Sequence, residues 1–147
     1  MATLRLRKGA PHDDEWLFEL FRDTMRDYIH QAWGWDEIFQ REAFSTNLPG
    51  KHFHILEVDQ RKTGAYSVFR KPDHLWLELI LIEPAQQRAG HGSFLLETVK
   101  QQALRDRLPL KLTCLKCNPA AEFYRKREFV TTHDDPKRFH MEWQQPA

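Results

Sequence analysis

Gln87-Arg88-Ala89-Gly90-His91-Gly92-Ser93 is the stretch that decides the fold of this chain. It follows an apolar run and precedes an amphipathic segment, so its spacing, Gln-x-x-Gly-x-Gly, falls at a strand-to-helix junction. Because glycine has no Cβ, the backbone at Gly90 and Gly92 can turn sharply and a ligand can approach it closely. A helix that begins here presents free N–H groups and the positive end of its dipole. The stretch therefore predicts a site for a phosphate or diphosphate group.

A hydrophobic meander precedes this junction. Its predicted strands cover residues 52–58, 64–70 and 75–82. Short turns join them, which indicates antiparallel pairing. The third strand is the most hydrophobic part of the chain, and Pro84 ends it because proline has no N–H to donate to a ladder.

A strand and two helices are predicted before the meander. Residues 3–7 alternate apolar and polar side chains, as a half-buried strand does. Apolar residues at helical spacing predict a helix over residues 13–30. A second helix over residues 36–46 follows the break at Trp33-Gly34-Trp35-Asp36.

The region after the junction alternates between helix and strand. We predict a helix over residues 93–105, a strand over 110–115 and a short helix over 119–127 with Asn118 as its N-cap. Two closing strands cover residues 129–132 and 138–143. The order is then β-α-α-β-β-β-α-β-α-β-β, and the strand–helix–strand unit over 75–115 predicts a right-handed crossover between parallel strands. We expect one mixed α/β domain over residues 1–147, with a mostly antiparallel twisted sheet and flanking helices.

Composition excludes some classes of protein. The chain has 147 residues, of which 41% are hydrophobic and 29% are charged, as in ordinary globular domains. A formal net charge of +1, from 22 Lys+Arg and 21 Asp+Glu, gives no support to nucleic-acid binding. The apolar runs are too short to cross a bilayer, and no apolar block follows the basic N-terminus as it would in a signal peptide. We therefore expect no membrane partner and a cytoplasmic, reducing setting.

The two cysteines, Cys114 and Cys117, have Cys-x-x-Cys spacing near the end of a predicted strand. Small buried thiols are the favoured interpretation. A zinc site needs about four ligands, and only His133 and His140 could supplement the pair, so no metal is predicted. A redox pair stays an alternative because Asn118-Pro119 could begin a helix directly after it.

Two segments resemble those of the GNAT superfamily of acyl-CoA-dependent N-acetyltransferases. Residues 79–96 are similar to its central strand, proline-containing bend, diphosphate loop and long helix. Asn-Pro-Ala-Ala-Glu-Phe-Tyr at residues 118–124, followed by Phe129, is similar to its second acyl-CoA segment. Arg88 and Glu128 stand where many members have glycine, and the second departure puts the turn after the short helix in doubt. The resemblance implies the acyl-CoA N-acyltransferase fold, with a central splayed parallel strand pair.

The resemblance also implies acetyl-CoA as the co-substrate, held without a metal. Backbone and side-chain groups implied to bind it are those of Ile80, Leu81, Ile82, Gln87, Arg88, Ala89, Gly90, His91, Gly92, Ser93, Asn118, Ala121 and Tyr124. Each segment has a structural alternative. The loop at residues 87–93 could be a helix start without a ligand, residues 80–82 an ordinary buried strand, and Asn118 only the cap of its helix. A dinucleotide-binding site is rejected, because its Gly-x-Gly-x-x-Gly motif follows the first strand of the domain. Here the glycines lie late in the chain, after a meander, and the third glycine is missing.

Tyr124 and Glu78 are the catalytic candidates. Tyr124 matches the family's tyrosine beside the thioester sulfur, where it would protonate the leaving thiolate; the alternative is an aromatic residue packed on the sheet. Strict alternation would place Leu77, Leu79 and Leu81 on one face and Glu78 on the other, where a raised pKa would suit a general base. A surface or salt-bridged glutamate is the alternative. His140 is a second candidate base, acting through water if needed.

The acceptor pocket is expected at the junction of the first two helices. Aromatic and carboxylate side chains that suit a cationic amine cluster there, namely Tyr28, Trp33, Trp35, Asp36 and Glu37, with His140 from a closing strand. Alternatively, the tryptophans only anchor the helices.

The predicted activity is direct acetyl transfer to a primary amine of a small molecule or peptide, with the oxyanion on a backbone N–H near Leu81 or Ile82. A non-catalytic acyl-CoA sensor or partner-binding module is one alternative. The other is a toxin-like enzyme that acetylates charged tRNA, for which Arg125-Lys126-Arg127 would be a basic stripe, although such runs are usually solvated helix faces. A homodimer is a common default.

Overall fold

Four helices flank one seven-stranded sheet in the computed structural model, which describes residues 2–146. The strands are β1 (Leu4–Lys8), β2 (Phe53–Val58), β3 (Arg61–Arg70), β4 (Leu75–Ile82), β5 (Leu110–Leu115), β6 (Val130–Asp134) and β7 (Arg138–Trp143). The helices are α1 (Asp14–Trp33), α2 (Glu37–Asn47), α3 (His91–Asp106) and α4 (Ala120–Arg125). The predicted element order is confirmed, with bounds that shift by a few residues. None of these helices combines the length and the hydropathy needed to cross a bilayer.

The sheet has the order β1-β2-β3-β4-β5-β7-β6, and β4 with β5 is its parallel pair. The predicted mixed sheet is therefore confirmed. Leu75 pairs with Leu110 and Trp76 with Lys111, and beyond these residues the two strands separate. The other edge of β5 is occupied by β7 along its whole length. A gap therefore opens toward the carboxyl ends of β4 and β5, as expected for the predicted splayed pair of parallel strands.

Each face of the sheet has its own hydrophobic core. Apolar residues at helical spacing on α1, with Phe44 of α2, cover one face through Leu17, Phe18, Leu20 and Phe21. Residues of α3 cover the other face, namely Leu95, Leu96, Val99 and Ala103. Burial of each such leucine stabilises the fold by about 1.5–3 kcal/mol. These two layers hold the gap between β4 and β5 in place from both sides.

A β-bulge changes which side chains of β4 share a face. The pairing of β4 with β3 shifts by one residue at Glu78. Leu77 lies in the core on the α3 side, whereas Leu79 and Leu81 lie in the core on the α1 side. The prediction that Leu77, Leu79 and Leu81 share one face is therefore wrong, because the extra residue reverses the alternation along the strand.

Candidate functional site

The gap between β4 and β5 opens into a cavity of about 540 Å³, a size typical of small-molecule sites. Predicted site residues that line it are Tyr28, Ile80, Leu81, Ile82, Gln87, Arg88, Gly90, Gly92, Ser93, Asn118 and Tyr124. Residues that sequence reasoning missed also line it, namely Thr24, Met25, Gln86, Pro119, Ala120, Phe123 and Arg127. Ala89, His91 and Ala121 belong to the same segments but are not on this wall. The cavity is thus bounded by α1, by β4, by the loop that precedes α3 and by α4.

The start of α3 supplies unpaired donors to this cavity. Gly90 precedes the helix with φ of +86°, a left-handed conformation that glycine adopts without strain. The first turn leaves the N–H groups of His91, Gly92 and Ser93 without intrahelical acceptors; Gly92 and Ser93 line the cavity, and His91 adjoins them in the same turn. A Cβ on Gly92 would sit 3.5 Å from the Phe123 ring, an ordinary contact, so the protein itself tolerates a side chain there. The bare backbone at Gly92 leaves this part of the cavity wall without a side chain.

Along the edge of β4 that faces the gap, every second residue presents its backbone N–H and C=O groups. The Glu83 N–H donates to the Thr63 carbonyl at 2.8 Å, which fixes the phase of the antiparallel ladder. Hydrogen bonds to one neighbouring strand alternate along an antiparallel ladder. The backbone N–H and C=O groups of Leu81 therefore bond to β3, while those of Ile80 and Ile82 point toward β5. The Gln87 amide donates to the Ile82 carbonyl at 3.1 Å, in agreement with that phase. An oxyanion donor on this strand would therefore be Ile80 or Ile82, not Leu81.

Tyr124 places a neutral phenol on the cavity wall. Its ring packs edge-on against Phe123 and Phe129, with centroids 5.3 and 5.5 Å away. Burial raises the pKa of the Tyr124 hydroxyl, and the nearby Cys114 thiol adds to that rise. Proton transfer from a phenol with a raised pKa to a free thiolate, whose pKa is about 8.5, is unfavourable at equilibrium. It can donate a hydrogen bond to a sulfur atom on which negative charge develops.

Asn118 connects α4 to α1. Its Oδ1 accepts a hydrogen bond from the Ala120 N–H at 2.9 Å, as a capping asparagine would, although α4 starts at Ala120 and Pro119 occupies its N-cap position. Its Nδ2 lies 3.9 Å from the sulfur of Met25. The Cys117 thiol donates to the Tyr28 carbonyl at 3.5 Å, while Cys114 is buried in the α3-side core, where burial raises its pKa to about 11. Over residues 2–146 no group of three or more potential metal ligands is found.

Arg127 connects α4 to the start of α3. Its guanidinium donates to the Ser93 hydroxyl at 2.7 Å and to the Phe123 carbonyl at 3.0 Å, and it lies 3.8 Å from the Phe123 ring centroid. The basic run at residues 125–127 is typical of a solvated face, and the sequence gives no sign that this arginine turns inward.

The sequence model of the Acetyltransferase (GNAT) domain family matches residues 23–145. The chain belongs to the GNAT acetyltransferase family. A PaiA N-acetyltransferase from Thermoplasma acidophilum in complex with coenzyme A has the same fold, with a TM-score of 0.79, 17% identity and coverage of 97% of this chain and 99% of that chain.

Two further solved structures share the GNAT fold. An acetyltransferase from Thermus thermophilus has a TM-score of 0.73 and 20% identity, and 96% of each chain is covered. An N-acetylglutamate synthase from Neisseria gonorrhoeae, complexed with coenzyme A and L-arginine, has a TM-score of 0.72 and 18% identity over 98% of this chain and 34% of that one. No curated protein matches the chain in sequence.

The predicted acceptor residues of this GNAT domain are dispersed. Trp33 is 57% exposed and lies against Arg138. The Trp35 indole donates to Glu37 at 3.0 Å, and this bond, together with that from Arg22 at 3.1 Å, lowers the pKa of Glu37. Of the acceptor residues predicted on the first two helices, Tyr28 lines the cavity, whereas Trp33, Trp35 and Glu37 do not. Asp36 caps α2 by accepting from the Phe39 N–H.

The predicted bases also lie away from the cavity wall. Glu78 is exposed at the bulge of β4 and accepts a hydrogen bond from the Trp76 indole. His140 on β7 stacks on His133 with ring centroids 4.1 Å apart, and its Nε2 lies 3.2 Å from Asp135. A proton would reach either group from the cavity only through water.

Proposed function

We propose that this GNAT domain transfers the acetyl group of acetyl-CoA directly to a primary amine of a small molecule or peptide. The observation that carries the proposal is one cavity that brings together the free N–H groups of α3, the part of the β4 edge that β5 does not cover and the Tyr124 hydroxyl. N-acetyltransferases of the same fold that were solved with coenzyme A support it.

The walls of the cavity would bind the parts of the carrier in order, from the diphosphate to the thioester. The diphosphate would accept hydrogen bonds from the N–H groups of His91, Gly92 and Ser93, where the helix dipole is positive. The pantetheine arm has peptide-like amides, so it would pair with the exposed groups of Ile80 and Ile82 as an added strand does. Tyr124 lies on the wall beside this path.

The residues of this chain would then act on the thioester in two ways. The N–H of Ile80 or Ile82 would bind the carbonyl oxygen as it gains negative charge. The Tyr124 hydroxyl would hydrogen-bond the departing sulfur, and Glu78 could accept the proton of the amine through water. Cys114 stays protonated in the core because its pKa is raised to about 11, which favours direct transfer over an acylated cysteine.

One observation favours a second candidate, a non-catalytic acyl-CoA sensor. The cavity wall, as far as residues 2–146 form it, contains no carboxylate and no imidazole. Such a protein would bind acetyl-CoA and lack a base close to the acceptor.

Isothermal titration with acetyl-CoA, followed by a panel of primary amines assayed for coenzyme A release above the hydrolysis rate, tests the two candidates. The enzyme is expected to bind acetyl-CoA in the micromolar range and to acetylate at least one amine class. Absence of binding at millimolar acetyl-CoA would contradict both candidates. Tight binding without product from any amine would favour the sensor.

A further inference from the structure

One lysine lies inside the hydrophobic core on the α3 side of the sheet. Lys100 is 7% exposed and lies on the buried face of α3, four residues after Leu96, where helical spacing favours an apolar side chain. Burial lowers the pKa of its ammonium, so a charged group at this position destabilises the fold unless its contacts compensate. What the ammonium contacts therefore indicates what this lysine does.

The Lys100 ammonium contacts the turn that follows α4. It donates a hydrogen bond to the Arg127 carbonyl at 2.6 Å. It also lies 4.9 Å from the ring centroid of Trp143 and 5.8 Å from that of Phe129, and both rings are buried. Aromatic rings at these distances attract a cation, so they hold the ammonium in place. The carbonyl to which it donates is then held in place as well.

Arg127 is bound to α3 at two points. Its guanidinium donates to the Ser93 hydroxyl at 2.7 Å, and its carbonyl accepts from Lys100. Ser93 and Lys100 are seven residues apart in α3, so they lie on the same side of the helix, about two turns from each other. The two bonds therefore attach the carboxyl end of α4 along the side of α3.

Backbone hydrogen bonds connect this turn to Tyr124. The Tyr124 carbonyl accepts from the Arg127 N–H at 3.0 Å and from the Phe129 N–H at 3.1 Å. Because α4 has only six residues, its own hydrogen bonds are too few to make it a stable helix in isolation. The place of the Tyr124 ring on the cavity wall thus depends on the contacts that hold the carboxyl end of this helix, and the bond from Lys100 is the one made from within the core.

We propose that Lys100 is a positioning residue for acetyl transfer, which fixes the carboxyl end of α4 through the Arg127 carbonyl and thereby holds the Tyr124 hydroxyl in place on the cavity wall. Lys100 does not line the cavity itself, so it acts on the reaction through Tyr124. The proposal rests on the proposed function and deepens it, because it assigns to the reaction a residue that contacts neither the carrier nor the amine.

Lys100→Met tests the proposal, because methionine fills the same apolar space without N–H donors. We expect kcat to fall by about 5- to 20-fold, since a displacement of about 1 Å in a site costs up to about 100-fold in rate. Lys126→Met is the matched control: Lys126 belongs to the same turn, is exposed and lies outside the cavity, so its kcat should stay at the wild-type value. Lys100→Leu gives the same test if the methionine variant does not fold at the assay temperature.

A double-mutant cycle with Y124F distinguishes positioning from a general loss of structure. If Lys100 acts through the Tyr124 hydroxyl, K100M slows the wild-type enzyme but leaves the kcat of Y124F within about two-fold. A substitution that only loosens the fold would lower kcat by the same factor in both backgrounds. That result would overturn the proposal, and so would a wild-type kcat in K100M.

NMR spectra of protein with ¹³C-labelled tyrosine rings test the same link without the reaction. The chain has three tyrosines, so the Tyr124 resonances are assigned by their absence in Y124F. They should shift in K100M and stay in place in K126M; unmoved resonances in K100M would overturn the proposal. If the wild-type protein acetylates no amine, the proposed function is wrong, and a shift in K100M alone would still show that Lys100 positions this ring.

Discussion

Replacing Tyr124 by phenylalanine removes one hydroxyl from the cavity wall and should slow the reaction without weakening the fold. The ring packs between Phe123 and Phe129, so its apolar contacts persist in the variant. A hydrogen bond from the hydroxyl to a sulfur that gains charge is worth about 1.5–3 kcal/mol, as for other bonds to charged groups. Its loss corresponds to a decrease in kcat of about 10- to 150-fold.

The affinity for acetyl-CoA should change little in this variant, because the uncharged thioester of the ground state is a weak acceptor. Steady-state assays with acetyl-CoA and a saturating amine would therefore show a lower kcat with KM for acetyl-CoA within about three-fold of the wild type. Tyr66→Phe is the matched control, since Tyr66 is a buried tyrosine on β3 that does not line the cavity.

The pH dependence of the same variant tests the raised pKa of Tyr124. Because burial keeps the phenol protonated above its ordinary pKa of about 10, the wild type should not lose activity through ionisation of Tyr124 up to about pH 10.5, where an ordinary phenol would be mostly ionised. The Y124F profile should thus have the same shape at a lower level. An unchanged kcat, or a descending limb centred at about pH 10 that disappears in Y124F, would refute this reasoning.

Three further perturbations address the fold and the loop. Gly90→Ala places a side chain in the left-handed region, at φ of +86° and ψ of 4°, and should destabilise the fold by about 1–2 kcal/mol in thermal denaturation. Gly34→Ala places one at φ of 87° and ψ of 158°, a conformation that only glycine adopts readily, and should cost about 1–3 kcal/mol. Only the variant at Gly90 should also lose affinity for coenzyme A. Asn118→Ala should cost about 1 kcal/mol of stability through the lost cap of α4; an unchanged Tm would contradict the assigned cap. The hydrogen bond from Arg7 lowers the pKa of Asp13 in the folded protein. The ionised carboxylate should therefore stabilise the fold at pH values above about 4, and this contribution should be lost as the pH falls further. Plots of Tm against pH for Asp13→Asn and the wild type that run parallel from about pH 5 to about pH 2 would argue against this.

The sequence predicts the parts of the structure that local chemistry determines. Alternation, helical spacing and the positions of Pro84 and Gly90 specify the order of the elements and the loop before α3. The bulge at Glu78 has no such signature, because an extra residue within an apolar strand leaves the composition of that strand unchanged. It becomes visible only through the pairing with β3.

Residues whose roles depend on distant partners are also hidden in the sequence. Arg127 belongs to a basic run that is typical of a solvated face, and only the approach of α4 to α3 turns it toward Ser93. Trp35 and Glu37 have the residue types of an amine site, yet they bond to each other at the helix junction. Aromatic and acidic composition alone does not distinguish a binding pocket from a structural anchor.

Amide chemical shifts of the α3 start, recorded while coenzyme A is titrated into ¹⁵N-labelled protein, would test the central claim most directly. The N–H groups of His91, Gly92 and Ser93 should shift downfield and saturate with the calorimetric affinity, because they would donate to the diphosphate. Pantetheine should leave these three resonances in place while it moves those of Ile80 and Ile82. Saturating coenzyme A that leaves the three amides unmoved would show that the diphosphate binds elsewhere and would contradict the claim.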